Sequence, residues 1–559
     1  MKSDIAMSLC AGFPSPRFIP SESAGPARHG RASASRAVAF DQASGSGQSY
    51  IQLAFRPARA GHADLPTPWN QHMHIKQLYI DGAWQPAAAG GQRTIVDPAT
   101  GETIARVAYG SAVDAGHAIR AARASFDAGE WPHLPAEARA ACLRRLANAL
   151  RDEASALARI ETANTGKTLA ESSSDVHDAA AAFDYFASLA ATETGSMNAA
   201  KPHVLSVTLR EPVGVCGLVT PWNYPLLQAA WKLAPALVAG NTVVVKPASL
   251  TPLSTHRLVE LAHDAGLPRG VVNLVTGGAD VGDALAASPQ VDLISLTGSN
   301  AAGASVMRAA AGNFKRVSLE LGGKNPNLVF ADADFDTALD YALNAAFFNA
   351  GQMCSAGSRL LVERTLHDAF VDALAARIAA IRVGRGDDDA TRMGPVISAQ
   401  QRDRVLALIG EAARDGARVV CGGRVPAGDA FATGFWVEPT LIADVRTTMA
   451  IAREEVFGPV LTVEAFDSED EAVALANDTP FGLAGAVWTR DFARANRVMR
   501  RLRAATVWIN DYNVTLPGAP WGGYKASGIG RELSRSGLDE YTELKHAYLN
   551  FEASPQRWF

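Results

Sequence analysis

Apolar residues recur every three or four positions in three long Ala-rich stretches, near 112–128, 136–164 and 171–192. That spacing predicts helices with one buried face. Ahead of them, Gln77-Leu-Tyr-Ile-Asp-Gly-Ala-Trp84 predicts a short hairpin turning at Asp81-Gly82. Between about 213 and 322 the pattern changes. Short apolar runs at 213–220, 242–245, 271–275, 293–296 and 317–320 alternate with segments of helical period that often end in Gly, as at Gly240 and Gly266. This alternation predicts a doubly wound, mostly parallel sheet, which binds ligands beyond the carboxyl ends of its strands. A second α/β stretch runs from about 323 to 541, with strands expected at 359–362, 460–464, 485–489 and 505–509. No internal repeat is visible.

Residues 1–72 differ from the rest: rich in Ser, Ala, Gly, Pro and Arg, poor in acids, and without a sustained period. Two readings stay open there. One is a transit-like peptide; the other is a disordered extension, or an upstream start with initiation near Met73. No secretory signal is expected.

Composition narrows the function class. The 559 residues exceed what one core holds, so more than one structural unit is expected. With 52 basic and 57 acidic side chains the formal charge is -5, which offers no general attraction to nucleic acid or an anionic membrane. No apolar run approaches the roughly 18–20 residues of a spanning helix. The five cysteines, at 10, 142, 216, 354 and 421, form no C-x-x-C pair. Neither a disulfide framework nor a metal site is expected, and reduced thiols point to the cytoplasm.

Several motifs sit at the ends of the expected strands. Thr220-Pro-Trp-Asn-Tyr-Pro225 follows a strand and opens a helix; Asn223 there is either an amide aimed at an oxyanion or an N-cap. Lys246, at the end of a strand, suits a nucleotide ribose or phosphate, or is a solvated lysine. Ser295-Leu-Thr-Gly-Ser-Asn-Ala-Ala-Gly303 runs from strand into helix, and Gly298, Ser299 and Gly303 would let backbone approach a pyrophosphate, or serve packing. Glu320 stands among apolar neighbours before a Gly pair, as a base with a raised pKa or as half of a buried ion pair. Cys354, in Phe347-Phe-Asn-Ala-Gly-Gln-Met-Cys354, is a nucleophile or an inert small hydrophobe. Glu455 and Phe457, in Glu454-Glu-Val-Phe-Gly-Pro459, hold a ribose and a nicotinamide ring or form an ordinary turn. Thr165-Gly-Lys-Thr168 imitates the end of a phosphate loop, but position 161 is Glu and the tetrapeptide falls within a helical stretch, which excludes ATP binding.

Together and in this order, F-x-N-x-G-Q-x-C, L-E-L-G-G-K, P-W-N-x-P and E-E-x-F-G-P resemble the aldehyde dehydrogenase superfamily over roughly 75–559. The resemblance implies an α/β fold made of three parts. These are a Rossmann-type cofactor domain (75–193 and 213–321), an α/β catalytic domain (322–541), and a small β oligomerisation element (194–212 and 542–559). It implies Cys354 as nucleophile, Asn223 and the Cys354 N–H as oxyanion hole, and Glu320 as the base that hydrolyses a thioester. Lys232 and Glu532 match supporting proton-relay positions. Thr220, Trp222, Lys246, Ser249, Gly298, Ser299, Gly303, Glu455 and Phe457 match positions along the NAD or NADP cleft. Ser249 stands where the family often has a Glu that repels a 2′-phosphate, so a strict NAD preference is not implied.

Within the superfamily, stretches such as Arg210-Glu-Pro-Val-Gly-Val-Cys-Gly217 and the terminal Trp558-Phe559 are most similar to bacterial betaine-aldehyde dehydrogenases. Tyr224, Trp231, Phe348 and Trp521 are then expected to cage a trimethylammonium group. A broader aminoaldehyde or aliphatic range remains the neighbouring reading, and a non-catalytic protein keeping the scaffold is the reading from another class. A homodimer or homotetramer acting on a small aldehyde is implied, with no nucleic-acid or membrane partner.

Overall fold

Asp81 and Gly82 both take positive φ, 52° and 77°, as a two-residue hairpin turn requires. They join the antiparallel strands Leu78–Ile80 and Ala83–Gln85. The structure, a computed structural model, describes residues 75–192 and 195–559. The extension read at 1–72 lies outside the described residues.

The first expected helix is Ala112–Ala128, opened by a reciprocal cap between Ser111 and Asp114. The stretch 136–164 is two helices, Ala136–Asp152 and Ala154–Thr165, separated at Glu153. The third is Leu169–Leu189, whose Thr168–Glu171 capping box sets its start two residues earlier than the apolar spacing suggests. Thr165-Gly-Lys-Thr168 therefore lies at a corner between helices and not inside one. Gly166 adopts the left-handed conformation there, and Lys167 is fully buried in an ion pair with Asp175.

All five strands expected between 213 and 322 form. Val215–Val219, Thr242–Lys246, Val272–Leu274, Leu293–Thr297 and Arg316–Glu320 are parallel where they neighbour one another. Val215–Val219 lies between Thr242–Lys246 on one side and Leu293–Thr297 on the other. The winding reverses between Val215–Val219 and Leu293–Thr297, and a crevice opens beyond the strand ends at such a reversal. The hairpin extends this sheet beside Val272–Leu274, and Gly528–Ile529 extends its other edge beside Arg316–Glu320.

A second sheet has seven strands in the order Arg418–Cys421, Thr440–Ala443, Val460–Phe466, Arg359–Glu363, Pro326–Val329, Ala484–Trp488, Thr506–Ile509. All its pairings are parallel except at the Arg418–Cys421 edge. The short apolar strands at 326, 418 and 440 carry too few residues to separate from helix by period, and the sequence reading misses them.

The stretch 322–541 is also not one hydrogen-bonded unit. After Ile509 the chain returns to the first sheet, and Leu533, Leu538 and Tyr541 bury themselves in the core around helix Pro225–Ala239. A three-stranded antiparallel sheet, Thr542–Asn550, Val204–Pro212 and Ser196–Asn198, stands apart from both. Among the described residues no helix is long and apolar enough to cross a membrane.

Candidate active site

The carboxyl ends of the first sheet meet the loop that precedes strand Arg359–Glu363 of the second. In that loop Asn349, Ala350 and Gly351 are consecutively left-handed, with φ of 50°, 52° and 69°. Cys354 follows, half-buried. Its backbone carbonyl accepts from Asn325 Nδ2 at 2.8 Å, and the same amide holds the Ala356 carbonyl at 2.9 Å. A Cβ on Gly323 would come within 2.4 Å of the Cys354 carbonyl, so the Gly pair after Glu320 lets the two segments touch.

Asn223 reaches the same loop. Its Nδ2 donates to the Gln352 carbonyl at 2.9 Å, and Asn349 Nδ2 donates back to the Asn223 carbonyl at 3.3 Å. The N-cap reading is excluded, because Tyr224 occupies the cap of helix Pro225–Ala239. An amide nitrogen carries two hydrogens; one orients the side chain and the other stays available.

Glu320, at the end of its strand, is 4% exposed, and neither carboxylate oxygen has a hydrogen-bond partner. Burial pushes its pKa well up and the Glu532 carboxylate pushes it further, while Lys232 and Arg531 oppose this. The ion-pair alternative for Glu320 does not hold: the pair forms instead between Lys232 and Glu532, both buried. Lys232 Nζ also donates to Ser295 Oγ at 3.0 Å. Burial raises the Cys354 thiol, and the Glu455 and Glu320 carboxylates raise it further. The thiol is thus electrostatically coupled to both expected carboxylates.

The expected cofactor residues line the strand ends. Thr220 and Lys246 end adjacent strands, Thr220 N donating to the Lys246 carbonyl at 3.1 Å. Thr220 Oγ1 is buried without a partner. Lys246 is buried, and desolvation lowers its pKa to about 8. Ser299 caps helix Asn300–Ala311, and a Cβ on Gly298 would meet nothing nearer than 3.6 Å. Glu455 accepts from Gly323 N at 3.0 Å, and burial raises its pKa to about 7. Ser299 and Glu455 share the wall of a cleft of about 690 Å³, a size that suits a cofactor. Phe457 is left-handed, φ 56°, and meets the Trp222 ring edge-on at 5.1 Å. Gln401 Nε2 holds that turn through the Phe457 carbonyl at 2.8 Å.

An orphaned hydroxyl, a desolvated lysine and an open glycine together fit a dinucleotide. Gly303 belongs to packing: a Cβ there would lie 2.8 Å from Leu321. Ser249 is half-buried, three residues beyond Lys246.

The four aromatics expected around the substrate differ in their surroundings. Trp231 and Trp521 meet at 6.0 Å, and Trp508 continues the row at 6.4 Å from Trp521 and 4.7 Å from Tyr512. Tyr224 instead turns its ring to the Lys167 ammonium, 3.9 Å from the centroid. Phe348 has no ring contact to the other three. Trp508 and Tyr512 escaped the sequence reading, although Trp508 lies in a stretch that resembles the family. So did Asn325 and Gln352, polar residues inside the motifs themselves.

Residues 84–547 match the aldehyde dehydrogenase family. The chain is 50% identical over 484 residues to a betaine aldehyde dehydrogenase of Bacillus subtilis, covering 86% of this chain and 99% of that one. It is 41% identical over 496 residues to a chloroplastic betaine aldehyde dehydrogenase of Beta vulgaris, covering 87% and 98%. A crystal structure of betaine aldehyde dehydrogenase from Staphylococcus aureus in complex with NAD+ superposes with a TM-score of 0.86 at 46% identity, covering 87% of this chain and 97% of that one.

Proposed function

The chain belongs to the aldehyde dehydrogenase family, and from that footing we propose that it oxidises betaine aldehyde to glycine betaine with NAD or NADP. The observation that supports this most is the gathering of Cys354, Asn223 and an unpartnered Glu320 around one crevice. Cys354 Sγ attacks the carbonyl carbon and forms a thiohemiacetal. The free Asn223 N–H and the Cys354 backbone N–H face the developing oxyanion. When bound, the nicotinamide would supply the acceptor for the hydride that leaves the thiohemiacetal carbon, which leaves a thioester on Cys354, and Trp222, Phe457 and Glu455 would hold it. Glu320 then takes the proton of the water that cleaves the thioester. Lys232 and Glu532 carry that proton onward. Lys246 and Glu455 take the two riboses, Thr220, Gly298 and Ser299 the pyrophosphate side. Ser249 adds no negative charge against a 2′-phosphate, which leaves NADP admissible.

In this reading the first sheet and its helices form the cofactor part, and the second sheet presents the nucleophile. The separate three-stranded sheet joins copies into a dimer or tetramer; the exposed Leu544 and Tyr548 on it support that role. A cytoplasmic location fits the free thiols.

For the substrate, the Trp231–Trp521–Trp508 row offers aromatic faces to a quaternary ammonium. The deciding measurement is kcat/KM for betaine aldehyde, 4-aminobutyraldehyde and propionaldehyde with each cofactor, followed by absorbance at 340 nm. A preference for betaine aldehyde that Trp521→Ala removes, with propionaldehyde little changed, is expected. No preference in the native enzyme rejects this substrate in favour of a broad aldehyde range, and no reduction of either cofactor by any aldehyde rejects catalysis.

A further inference from the structure

Beneath the nucleophile loop lies a buried group of charges that the chemistry above does not use. Glu161, Glu171 and Asp175 come from the two helices that meet at the Thr165-Gly-Lys-Thr168 corner and Lys167 from the corner itself, and each is 6% exposed or less. Lys167 pairs with Asp175 and lies 3.9 Å from Glu161.

Glu171 is divided between two tasks. Its Oε2 accepts from Thr168 N at 2.8 Å and Thr168 Oγ1 at 2.9 Å, which completes the cap of helix Leu169–Leu189. Its Oε1 accepts from Asn349 N at 2.7 Å, across 178 residues of sequence.

Asn349, five residues before Cys354, starts the left-handed run. Two of its three members, Asn349 and Ala350, carry a Cβ, and each such residue persists only where its surroundings hold it. The bond from Glu171 falls on the first of them. From Asn349 the constraint passes on: its side chain reaches the Asn223 carbonyl at 3.3 Å and the Gln352 carbonyl at 3.2 Å. Gln352 is tied in turn by its Oε1, which accepts from Ile397 N at 2.8 Å. One carboxylate oxygen thus anchors the loop bearing the sulfur and, through Asn349, the strand end bearing the amide donor.

We propose that Glu171 is a positioning residue: through Asn349 it fixes the backbone that sets the Cys354 sulfur against the Asn223 amide. The proposal rests on reading Cys354 as the nucleophile. A carboxylate is needed because both oxygens must accept. Glutamine has one acceptor and would turn its NH2 toward either Asn349 N–H or the Thr168 donors.

The test compares Glu171→Gln with Thr168→Val, which breaks the reciprocal helix cap but leaves the bond to Asn349. Alkylation of Cys354 by iodoacetamide is followed by peptide mass spectrometry at fixed pH, alongside kcat and the melting temperature. A misplacement of even 1 Å costs on the order of a hundredfold in a reaction that depends on alignment. Glu171→Gln is therefore expected to lower kcat by about tenfold to a hundredfold and to change the Cys354 alkylation rate severalfold. Its KM for NAD+ should stay within about twofold, since the cofactor walls are elsewhere. Thr168→Val should lower the melting temperature and leave alkylation unchanged.

If Glu171→Gln lowers only the melting temperature, or if Thr168→Val alters alkylation equally, Glu171 is a helix cap and the proposal is overturned. Should Glu171→Gln fail to fold, Glu171→Asp, too short to span both partners, is read by the same rates and outcomes. Failure of the underlying reading looks different: native protein alkylated at Cys354 would keep its full aldehyde turnover.

Discussion

Replacing Glu532 by Gln removes the charge that most opposes ionisation of Glu320 after burial itself. It also leaves the buried Lys232 ammonium without its counter-ion. Both changes favour the Glu320 carboxylate, so its pKa falls.

Hydrolysis of acylated Cys354 needs Glu320 deprotonated, so its rate climbs with pH through this pKa. In Glu532→Gln that rise should sit at lower pH, because a repelling charge is gone and the Lys232 charge is left unopposed. The assay acylates Cys354 with p-nitrophenyl acetate, without cofactor, and follows loss of the acetyl group by mass spectrometry from pH 4 to 9. The position of the rise is the readout, because loss of the relay lowers its height independently. Breaking a buried pair costs up to about 3–5 kcal/mol in stability, so rates are taken on protein shown to be folded. Glu320→Gln must lose the rise altogether. A rise that stays in place or moves upward in Glu532→Gln would refute the coupling and with it Glu320 as the base.

Three shorter expectations follow from the same structure. Burial and two carboxylates hold the Cys354 thiol above its ordinary 9.0, so in cofactor-free enzyme its iodoacetamide rate should still be rising at pH 9; a plateau near pH 7 contradicts this. His256 is fully buried against Trp84, neither ring nitrogen has a partner, and its pKa is lowered to about 3. A depressed histidine pKa means the unfolded chain binds the proton first, so this group's stabilisation is present above pH 6.5 and is lost on acidification towards about 3. The full loss is at most about 4–5 kcal/mol, and urea titrations should show His256→Phe flattening it; an unchanged slope contradicts the assignment. Gly303→Ala should lower stability by about 1–3 kcal/mol by pressing on Leu321, and an unchanged melting temperature would show that the helix can shift.

Much of this fold was legible because its strands are buried on both faces and its helices on one. The five apolar runs between 213 and 322 all became strands, and 112–128 became a helix with those bounds. What periodicity could not show was where a helix breaks without losing its apolar spacing, as at Glu153, or where a distant segment joins a sheet, as at Gly528–Ile529. The site residues were legible for a different reason. Asn223, Glu320 and Cys354 are polar or reactive groups at strand ends in otherwise apolar or Gly-rich stretches, and such groups demand explanation from sequence alone.

The aromatic residues carried no such signal, because a buried tryptophan is ordinary core wherever it falls. What each ring meets is set by geometry that only the folded chain contains. Tyr224, expected as a substrate wall, turns one face of its ring to a cation belonging to the protein, Lys167. That pairing links two stretches that the sequence reading kept apart. The tetrapeptide set aside as a false phosphate loop supplies the lysine that occupies the tyrosine, and the next helix supplies the carboxylate that holds the nucleophile loop. The two contacts come from a corner and from the helix it opens, whose apolar face identifies it only as packing. A position can therefore matter to catalysis while its sequence shows nothing but a helix cap. Glu171 is such a position, distinguished by the second oxygen of its carboxylate.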